Sequence, residues 1–227
     1  MEIVPARPAA TVILVRDGRE GCEVLLVRRS HRLDFHGGAW VFPGGRVDPR
    51  DEAQASGNDP VEAARYAAAR EAWEEAGVRV QPEQLVPFAR WITPVNVPKR
   101  FDTWFFLAPA PRDVVHTDGG EISAHRWFTP PAALAAHHRG EIELPAPTFV
   151  TLTQLGSPSD VRQLLAAAEQ RVVECFEPEL YFVEGGACTV YHGDVAYGNG
   201  QLNLPGPRHR LWMRTSGWVY ERSEGNR

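Results

Sequence analysis

The feature that most constrains the fold is a strong helix signal at residues 59–78, DPVEAARYAAAREAWEEAGV. Asp59 is a suitable N-cap, Pro60 follows at the first helical position, and Gly77 is placed to end the helix. Alanines dominate the interior, which favours helix formation. The chain must therefore be built around at least one well-defined α-helix.

Apolar segments rich in β-branched and aromatic residues predict strands on both sides of this helix. Residues 10–18 and 22–30 predict a hairpin, because the Asp17-Gly18 turn signal stands between them. Residues 34–60 have the composition of a loop, with a short apolar piece at 39–42. Further predicted strands lie at 85–95, 101–110 and 121–130, predicted helices at 131–140 and 157–170, and predicted β-hairpins at 179–200 and 209–223.

The order of these elements indicates an α+β fold rather than a doubly wound sheet, since strands occur in hairpins as well as around helices. With 227 residues, the chain suits one sizeable domain or one domain with an extension. The segment LPAPTF at 144–149 interrupts the pattern and suggests a boundary there.

Composition excludes several classes of protein. The net charge of −5 argues against non-specific nucleic-acid binding, which needs a basic surface. No apolar run approaches the roughly 20 residues of a membrane span, and the N-terminus does not resemble a signal peptide. Three scattered cysteines, Cys22, Cys175 and Cys188, are interpreted as buried thiols, so a cytoplasmic location is expected.

Within the helix, the stretch REAWEEAG places three acids on one face. Glu71, Glu74 and Glu75 are three or four residues apart or adjacent, so like charges are brought together. A solvated helix face is the ordinary explanation of such a cluster. The alternative is a site for a hard divalent cation, which carboxylate oxygens and water satisfy.

A short glycine motif precedes the helix. Phe42-Pro43-Gly44-Gly45 is typical of a tight turn, and its glycines also permit positive φ and close approach of a ligand to the backbone.

Taken together, FPGG at 42–45 and REAWEEAGV at 70–78 resemble the Nudix box, whose second half is Arg-Glu-apolar-x-Glu-Glu-x-Gly-apolar. Every position of that half matches. The resemblance implies a Nudix-type α/β/α sandwich with a mixed central sheet, in which a loop–helix–loop holds divalent metal ions. It also implies hydrolysis of a diphosphate linked to another group.

The box departs from the family pattern in one place. Gly45 and Arg70 enclose 24 residues, 11 more than the usual thirteen. The first glutamate of the box is therefore ambiguous. Asp51 has its position counted from Gly45, Glu62 has its position counted back from Arg70, and Glu52 is a third candidate.

An interrupted box, a WITPVNVPKRFDTWFFLA segment at 91–108 and LPAPTF at 144–149 resemble the Nudix branch that includes the peroxisomal coenzyme A diphosphatase. This resemblance implies residues 1–155 as the Nudix domain and residues 156–227 as a C-terminal extension packed on it. The extension is interpreted either as a cover for the active site or as a contact surface of a homodimer.

The resemblance implies roles for the acidic residues and for the arginine of the helix. Glu71 and Glu75, with Glu74, would bind Mg²⁺ or Mn²⁺. Glu74 or, alternatively, Glu121 from a later loop would act as general base. Arg70 would orient the glutamates through a bidentate pair.

The substrate-binding candidates are Gly44, Gly45, Arg28, Arg29 and Arg100. For the arginines, the ordinary alternative is a solvated side chain at a strand end or in a basic loop. Trp91 or Phe101 could stack on a purine.

The expected substrate is coenzyme A or acyl-coenzyme A. Two alternatives remain at the level of the sequence. One is a diphosphatase acting on ADP-ribose, NADH or a nucleotide sugar, and the other is a nucleotide-binding Nudix module without catalysis. Because the REAWEEAGV half of the box is complete, the non-catalytic module is the weaker of the two.

Overall fold

The computed structural model describes residues 4–31, 37–95, 97–111, 115 and 121–223. In this part of the chain the helices are α1 (Pro49–Glu52), α2 (Pro60–Ala76), α3 (Pro130–His138), α4 (Ala146–Leu155) and α5 (Val161–Gln170). The strands are β1 (Arg7–Gly18), β2 (Gly21–Arg29), β3 (Trp40–Val41), β4 (Gly44–Arg46), β5 (Val86–Ile92), β6 (Phe101–Pro109), β7 (Ile122–Phe128), β8 (Glu174–Phe176), β9 (Glu179–Val183), β10 (Gly186–Val190), β11 (His209–Arg214) and β12 (Gly217–Arg222).

The main sheet is mixed. Its strand order is β3-β2-β1-β6-β5-β8, with β4 also paired to β1 and β7 also paired to β2. The pairs β1–β6 and β5–β8 are parallel, and the remaining pairs are antiparallel. The predicted α+β class with a mixed central sheet is confirmed.

Helices cover both faces of this sheet. Side chains alternate along a strand, so Val12 and Leu14 of β1 face one side, and Ile13 and Val15 face the other. The first pair packs in a buried cluster with the alanines of α2, and the second packs with residues of α3, α4 and α5. This arrangement is the predicted α/β/α sandwich.

The central helix α2 forms as the sequence predicts. Asp59 accepts a hydrogen bond from the amide of Val61 at 2.8 Å, and Pro60 occupies the first turn. Gly77 ends the helix with φ 66°, a left-handed conformation that glycine adopts without steric cost. Alanines on the buried face bring the helix axis close to β1, and this fixes where the acids at its C-terminal end lie.

The sequence analysis missed two helices and was wrong about the burial of one cysteine. Residues 146–155, at the expected boundary, form α4, with Pro145 at its N-cap and Phe149 among its buried residues. A short helix, α1, forms inside the segment that was interpreted as loop. Cys22 and Cys188 are buried as expected, but Cys175 is exposed, because it lies on the edge strand β8.

The C-terminal residues pack on the rest of the molecule. Strand β8 extends the main sheet beside β5, and β9–β12 form a separate antiparallel sheet of four strands. Trp218 of that sheet contacts the rings of His137 and Phe149. Inside it, the buried guanidinium of Arg210 donates to both carboxylate oxygens of Asp194, at 2.6 and 2.8 Å. The boundary near residue 155 stays a prediction.

No helix in the described ranges has the length and hydropathy required to span a bilayer.

Candidate active site

The acidic face of α2 lies beside strand β4 and borders a cavity of about 570 Å³. The floor comes from β1, β4 and β6, and one wall comes from α2. The residues that line it are Ala9, Thr11, Arg29, Gly44, Gly45, Arg46, Asp48, Arg50, Arg70, Glu71, Glu74, Glu75, Phe101, Thr103 and Glu121. All three acids of REAWEEAG therefore line one cavity, together with Glu121, which is distant from them in the sequence.

Glu75 is the most deeply buried of these acids, with 5% of its surface exposed. One carboxylate oxygen, Oε2, accepts a hydrogen bond from the amide of Gly44 at 2.9 Å. The pKa of Glu75 is raised to about 8, mainly by burial and also by the negative charges of Glu71 and Glu121, against the lowering effect of that hydrogen bond. Charge on this carboxylate is thus disfavoured unless a cation is near.

Glu71 is in a similar environment. Its Oε1 accepts a hydrogen bond from Arg70 at 2.7 Å. Burial nevertheless raises the pKa of Glu71 above its ordinary value, and the charges of Glu74 and Glu121 add to the effect. Glu71, Glu75 and Glu121 therefore act on one another electrostatically across the cavity.

Glu74 is in a different environment from its two neighbours. Its side chain is 45% exposed, and one oxygen accepts from Arg70 at 2.8 Å while the other accepts from Arg50 at 3.2 Å. Both of its oxygens are consequently held by arginines at the rim of the cavity.

The two glycines are required for close packing and not for unusual backbone angles. Both belong to the extended strand β4, and neither has positive φ. A Cβ atom on Gly45 would overlap the carboxylate of Glu71, and one on Gly44 would overlap Thr11 of β1. The carboxylate of Glu71 therefore lies where a side chain of residue 45 would be.

The structure also resolves which acid pairs with Arg70. Asp51 is 1% exposed, and it accepts from Nε and Nη2 of Arg70 at 3.2 and 3.0 Å. Glu62 instead accepts from the amide of Ser56 at 2.8 Å, and Glu52 is exposed and does not line the cavity. Of the three candidates, the one counted from Gly45 is the partner of Arg70.

The candidate arginines are distributed over different parts of the molecule. Arg29 lines the cavity and lies close enough to Glu75 to lower its pKa. Arg28 donates to the carbonyl of Gly38 and contacts His31. Arg100 is buried and donates to the carbonyls of Thr93 and Val4, outside the cavity.

The aromatic candidates also separate. Trp91 is buried and stacks on Phe176, with ring centroids 4.1 Å apart, whereas Phe101 lines the cavity.

The donor chemistry of the cavity fits a divalent cation. Among the described residues, no three histidine, cysteine, aspartate or glutamate side chains are already arranged as a ligand set. However, Glu75 is buried and Glu71 is partly buried, both carboxyl groups have raised pKa values, and Glu121 adds a third negative charge. A hard cation prefers oxygen ligands and would remove the mutual repulsion of these groups.

Several residues of the cavity were missed by the sequence analysis: Thr11, Arg46, Asp48, Arg50 and Thr103. Thr11 and Thr103 belong to strands whose parallel register only the folded sheet reveals. Asp48, Pro49 and Asp51 carry a recognisable helix-start pattern, which could have indicated α1 and its position before α2.

Comparison with known proteins gives a consistent result. The sequence model of the NUDIX domain matches residues 5–146, more than half of the chain. Among curated proteins, the putative nudix hydrolase 7 of Caenorhabditis elegans is 26% identical, over 84% of this chain and 74% of its own length. The acyl-coenzyme A diphosphatase NUDT19 of Xenopus laevis is 29% identical, but the match covers 50% of this chain and 32% of that protein.

Solved structures agree on the fold. A NUDIX hydrolase from Alicyclobacillus acidocaldarius superimposes with a TM-score of 0.63 at 25% identity, over 73% of this chain and 97% of that one. The NUDIX domain of Shewanella oneidensis NrtR, solved with ADP ribose, gives a TM-score of 0.50 at 16% identity, over 66% and 86% of the two chains. That second likeness concerns the fold alone.

Proposed function

The chain belongs to the Nudix family of pyrophosphohydrolases, and from that premise we propose that it is a diphosphatase acting on coenzyme A or acyl-coenzyme A. The bond cleaved is the diphosphate bond of a nucleoside diphosphate linked to another group. The substrate proposal is supported by the similarity to NUDT19, which is named an acyl-coenzyme A diphosphatase. That similarity covers about half of this chain and a third of the relative, so the substrate is a proposal.

The observation that carries the proposal is the meeting of Glu71, Glu75 and Glu121 in one cavity that also contains Arg29. Glu71 and Glu75 would hold Mg²⁺ or Mn²⁺, and Glu74 is the further candidate ligand. When bound there, a divalent cation would neutralise charge on the diphosphate and lower the pKa of water. The protein's own contribution is to position these carboxylates and to bury that of Glu75.

Each residue has a distinct part in this mechanism. Arg70, fixed by Asp51, orients the carboxylate of Glu71. The guanidinium of Arg29 binds a non-bridging oxygen of the diphosphate. The carboxylate of Glu121 accepts a proton from the attacking water. The oxygen of that water bonds to phosphorus as the P–O anhydride bond breaks and the second phosphate leaves. Glu74 is the alternative base, and its two oxygens accept from Arg50 and Arg70.

A substrate panel tests this proposal. Purified protein with Mg²⁺ or Mn²⁺ is incubated with coenzyme A, ADP-ribose, NADH, diadenosine polyphosphates and a capped RNA dinucleotide. Release of adenosine 3′,5′-bisphosphate from coenzyme A supports the proposal. Rapid turnover of ADP-ribose with no cleavage of coenzyme A would assign the protein to the other substrate class. Tight nucleotide binding without any product would identify a binding module.

Matched glutamine variants test the site. Glu75→Gln is expected to lower kcat by about a hundredfold or more, because a buried carboxylate of the site is removed without changing its shape. Glu169→Gln, on the exposed face of α5, is the control for a change of one charge. A near-normal rate for Glu75→Gln would remove that residue from the mechanism.

We also propose a reducing compartment such as the cytoplasm, since all three cysteines are unpaired and Cys175 is exposed.

A further inference from the structure

Two arginines of the cavity have no part in the mechanism above. Arg46 is the last residue of β4 and Arg50 lies in α1; both line the cavity, and Arg50 contacts Glu74 at its rim. The side chain of Arg50 is 59% exposed, and Arg46 is exposed as well. These guanidinium groups are therefore accessible to a ligand that enters from solvent.

The guanidinium of Arg46 is not neutralised by a neighbour. Within the described ranges, no carboxylate forms an ion pair with its side chain. Only its main-chain carbonyl is engaged, by Arg70 at 2.9 Å. An unpaired arginine at the edge of an acidic cavity increases the affinity of that edge for an anion.

The ion pairs of Arg50 are weak enough to be exchanged. It contacts Asp48 and Glu74, each at 3.2 Å, and those two side chains are 39% and 45% exposed. Exposed pairs of this kind contribute little, whereas an arginine bound to a phosphate forms short, charge-assisted hydrogen bonds. Arg50 can thus transfer from its carboxylates to a phosphate at low cost.

This pair of arginines is set apart from the reacting centre. The amide of Gly44 donates a hydrogen bond to Glu75, and Arg46 lies two residues further along the same extended strand. At about 3.3 Å per residue, the backbones of Gly44 and Arg46 are roughly 6–7 Å apart. Arg29 and Glu121 lie near Glu75 instead. The backbone of Arg46 is therefore displaced along the cavity from the residue that bonds to Glu75, and Arg50 lies beside Glu74.

We propose that Arg46 and Arg50 form a second phosphate subsite, which binds a ribose phosphate monoester while the diphosphate lies against Glu71, Glu75 and Glu121. Coenzyme A carries such a monoester on the ribose of its nucleoside diphosphate, so this inference rests on the proposed function. A phosphate monoester carries a charge of about −1.5 to −2 at neutral pH, because its second pKa is about 6. Two arginines match this charge. The arginines would select substrates with this group over otherwise identical substrates without it.

The first test measures binding, so that it does not depend on turnover. Isothermal titration calorimetry in the presence of Mg²⁺ compares adenosine 3′,5′-bisphosphate with AMP. The wild-type protein is expected to bind the bisphosphate about tenfold or more tightly, and this preference should fall in Arg46→Ala and in Arg50→Ala and disappear in the double variant. Arg19→Ala, in the exposed turn between β1 and β2, loses one charge away from the cavity and should keep the preference. Equal affinity for the two nucleotides, or a preference that survives the double substitution, overturns the proposal.

The second test separates the subsite from the diphosphate. The ratio of kcat/KM for coenzyme A over dephospho-coenzyme A should decrease about tenfold in Arg46→Ala, mainly through KM. This variant leaves both arginine contacts of Glu74 intact. Arg50→Lys, which retains the charge, should keep more of the ratio than Arg50→Ala does. Arginine substitutions that lower kcat/KM equally for both substrates would contradict a role in binding the monoester. If neither substrate is cleaved, the proposed function fails, and the calorimetric comparison still decides the subsite.

Discussion

Replacing Glu75 with glutamine should stabilise the metal-free protein, even though it lowers the proposed activity. Glu75 is 5% exposed, and its pKa is raised from 4.5 to about 8. Each unit of that shift corresponds to about 1.4 kcal/mol of cost for the charged form. At pH 7 the cost is about 3 kcal/mol, and glutamine avoids it because its amide oxygen can still accept from Gly44.

The stabilisation must depend on pH in one direction. Because the pKa of Glu75 is higher in the folded state than in the unfolded state, the carboxylate contributes no penalty below about pH 4.5, where it is protonated in both states. The penalty then grows as the pH rises and is complete above about pH 8. The advantage of Glu75→Gln should therefore be near zero at pH 4.5 and largest at pH 8.

Thermal and urea unfolding in the presence of EDTA measure this difference. A gain of about 2–3 kcal/mol corresponds to a rise in Tm of about 5–10 °C for a chain of this size. Adding Mn²⁺ should raise the Tm of the wild-type protein and have much less effect on Glu75→Gln. Glu169→Gln is the control for a surface charge. A Glu75→Gln variant that is destabilised, or whose gain is the same at pH 4.5 and pH 8, would refute the burial argument.

Three further substitutions test separate parts of the structure. Asp51→Ala leaves Arg70 without its buried partner and should reduce the free energy of unfolding by about 2–4 kcal/mol in a urea titration; an unchanged midpoint would contradict this. Gly45→Ala places a methyl group where the carboxylate of Glu71 lies, so the affinity for Mn²⁺ should fall about tenfold, and an unaltered Mn²⁺ titration would count against the packing argument. Asp194→Ala leaves the buried guanidinium of Arg210 without its carboxylate partner, and should reduce the free energy of unfolding by about 3–5 kcal/mol. A thermal midpoint equal to that of the wild type would show that the pair is not stabilising.

Local signals explain why the central helix could be predicted so closely. Asp59, Pro60 and Gly77 specify its ends through their own backbone and side-chain preferences, and the structure has the helix at Pro60–Ala76. The β1–β2 hairpin likewise follows from the Asp17-Gly18 turn signal and its two apolar flanks. Features of this kind depend on residues that are close together in the chain.

Helix α4 was missed because the local signals in its segment do not indicate a helix. Its segment begins with two prolines, which interrupt a sequence pattern, although proline is well tolerated in the first turn of a helix. The stability of α4 comes from Phe149 and other side chains that pack beneath α3 and the C-terminal sheet. Packing of this type is invisible to a local pattern.

The site shows the same division. The sequence by itself determined that Glu71, Glu74 and Glu75 share one face of a helix, since a spacing of three or four residues requires it. Their different surroundings were decided by the tertiary structure, which buries Glu75 against Gly44 and exposes Glu74 to Arg50 and Arg70.

Contacts across the sheet decided the rest. The pairing of β2 with β7 brings Arg29 beside Ile122, and so brings Glu121 to the carboxylates of α2. The choice of Asp51 over Glu62 as the partner of Arg70 depended on the path of the inserted segment, because that path places Asp51 against the guanidinium and leaves Glu62 at the amide of Ser56. The sequence thus specified which chemical groups are available, and the fold determined which of them meet, because burial and long-range pairing are properties of the whole chain.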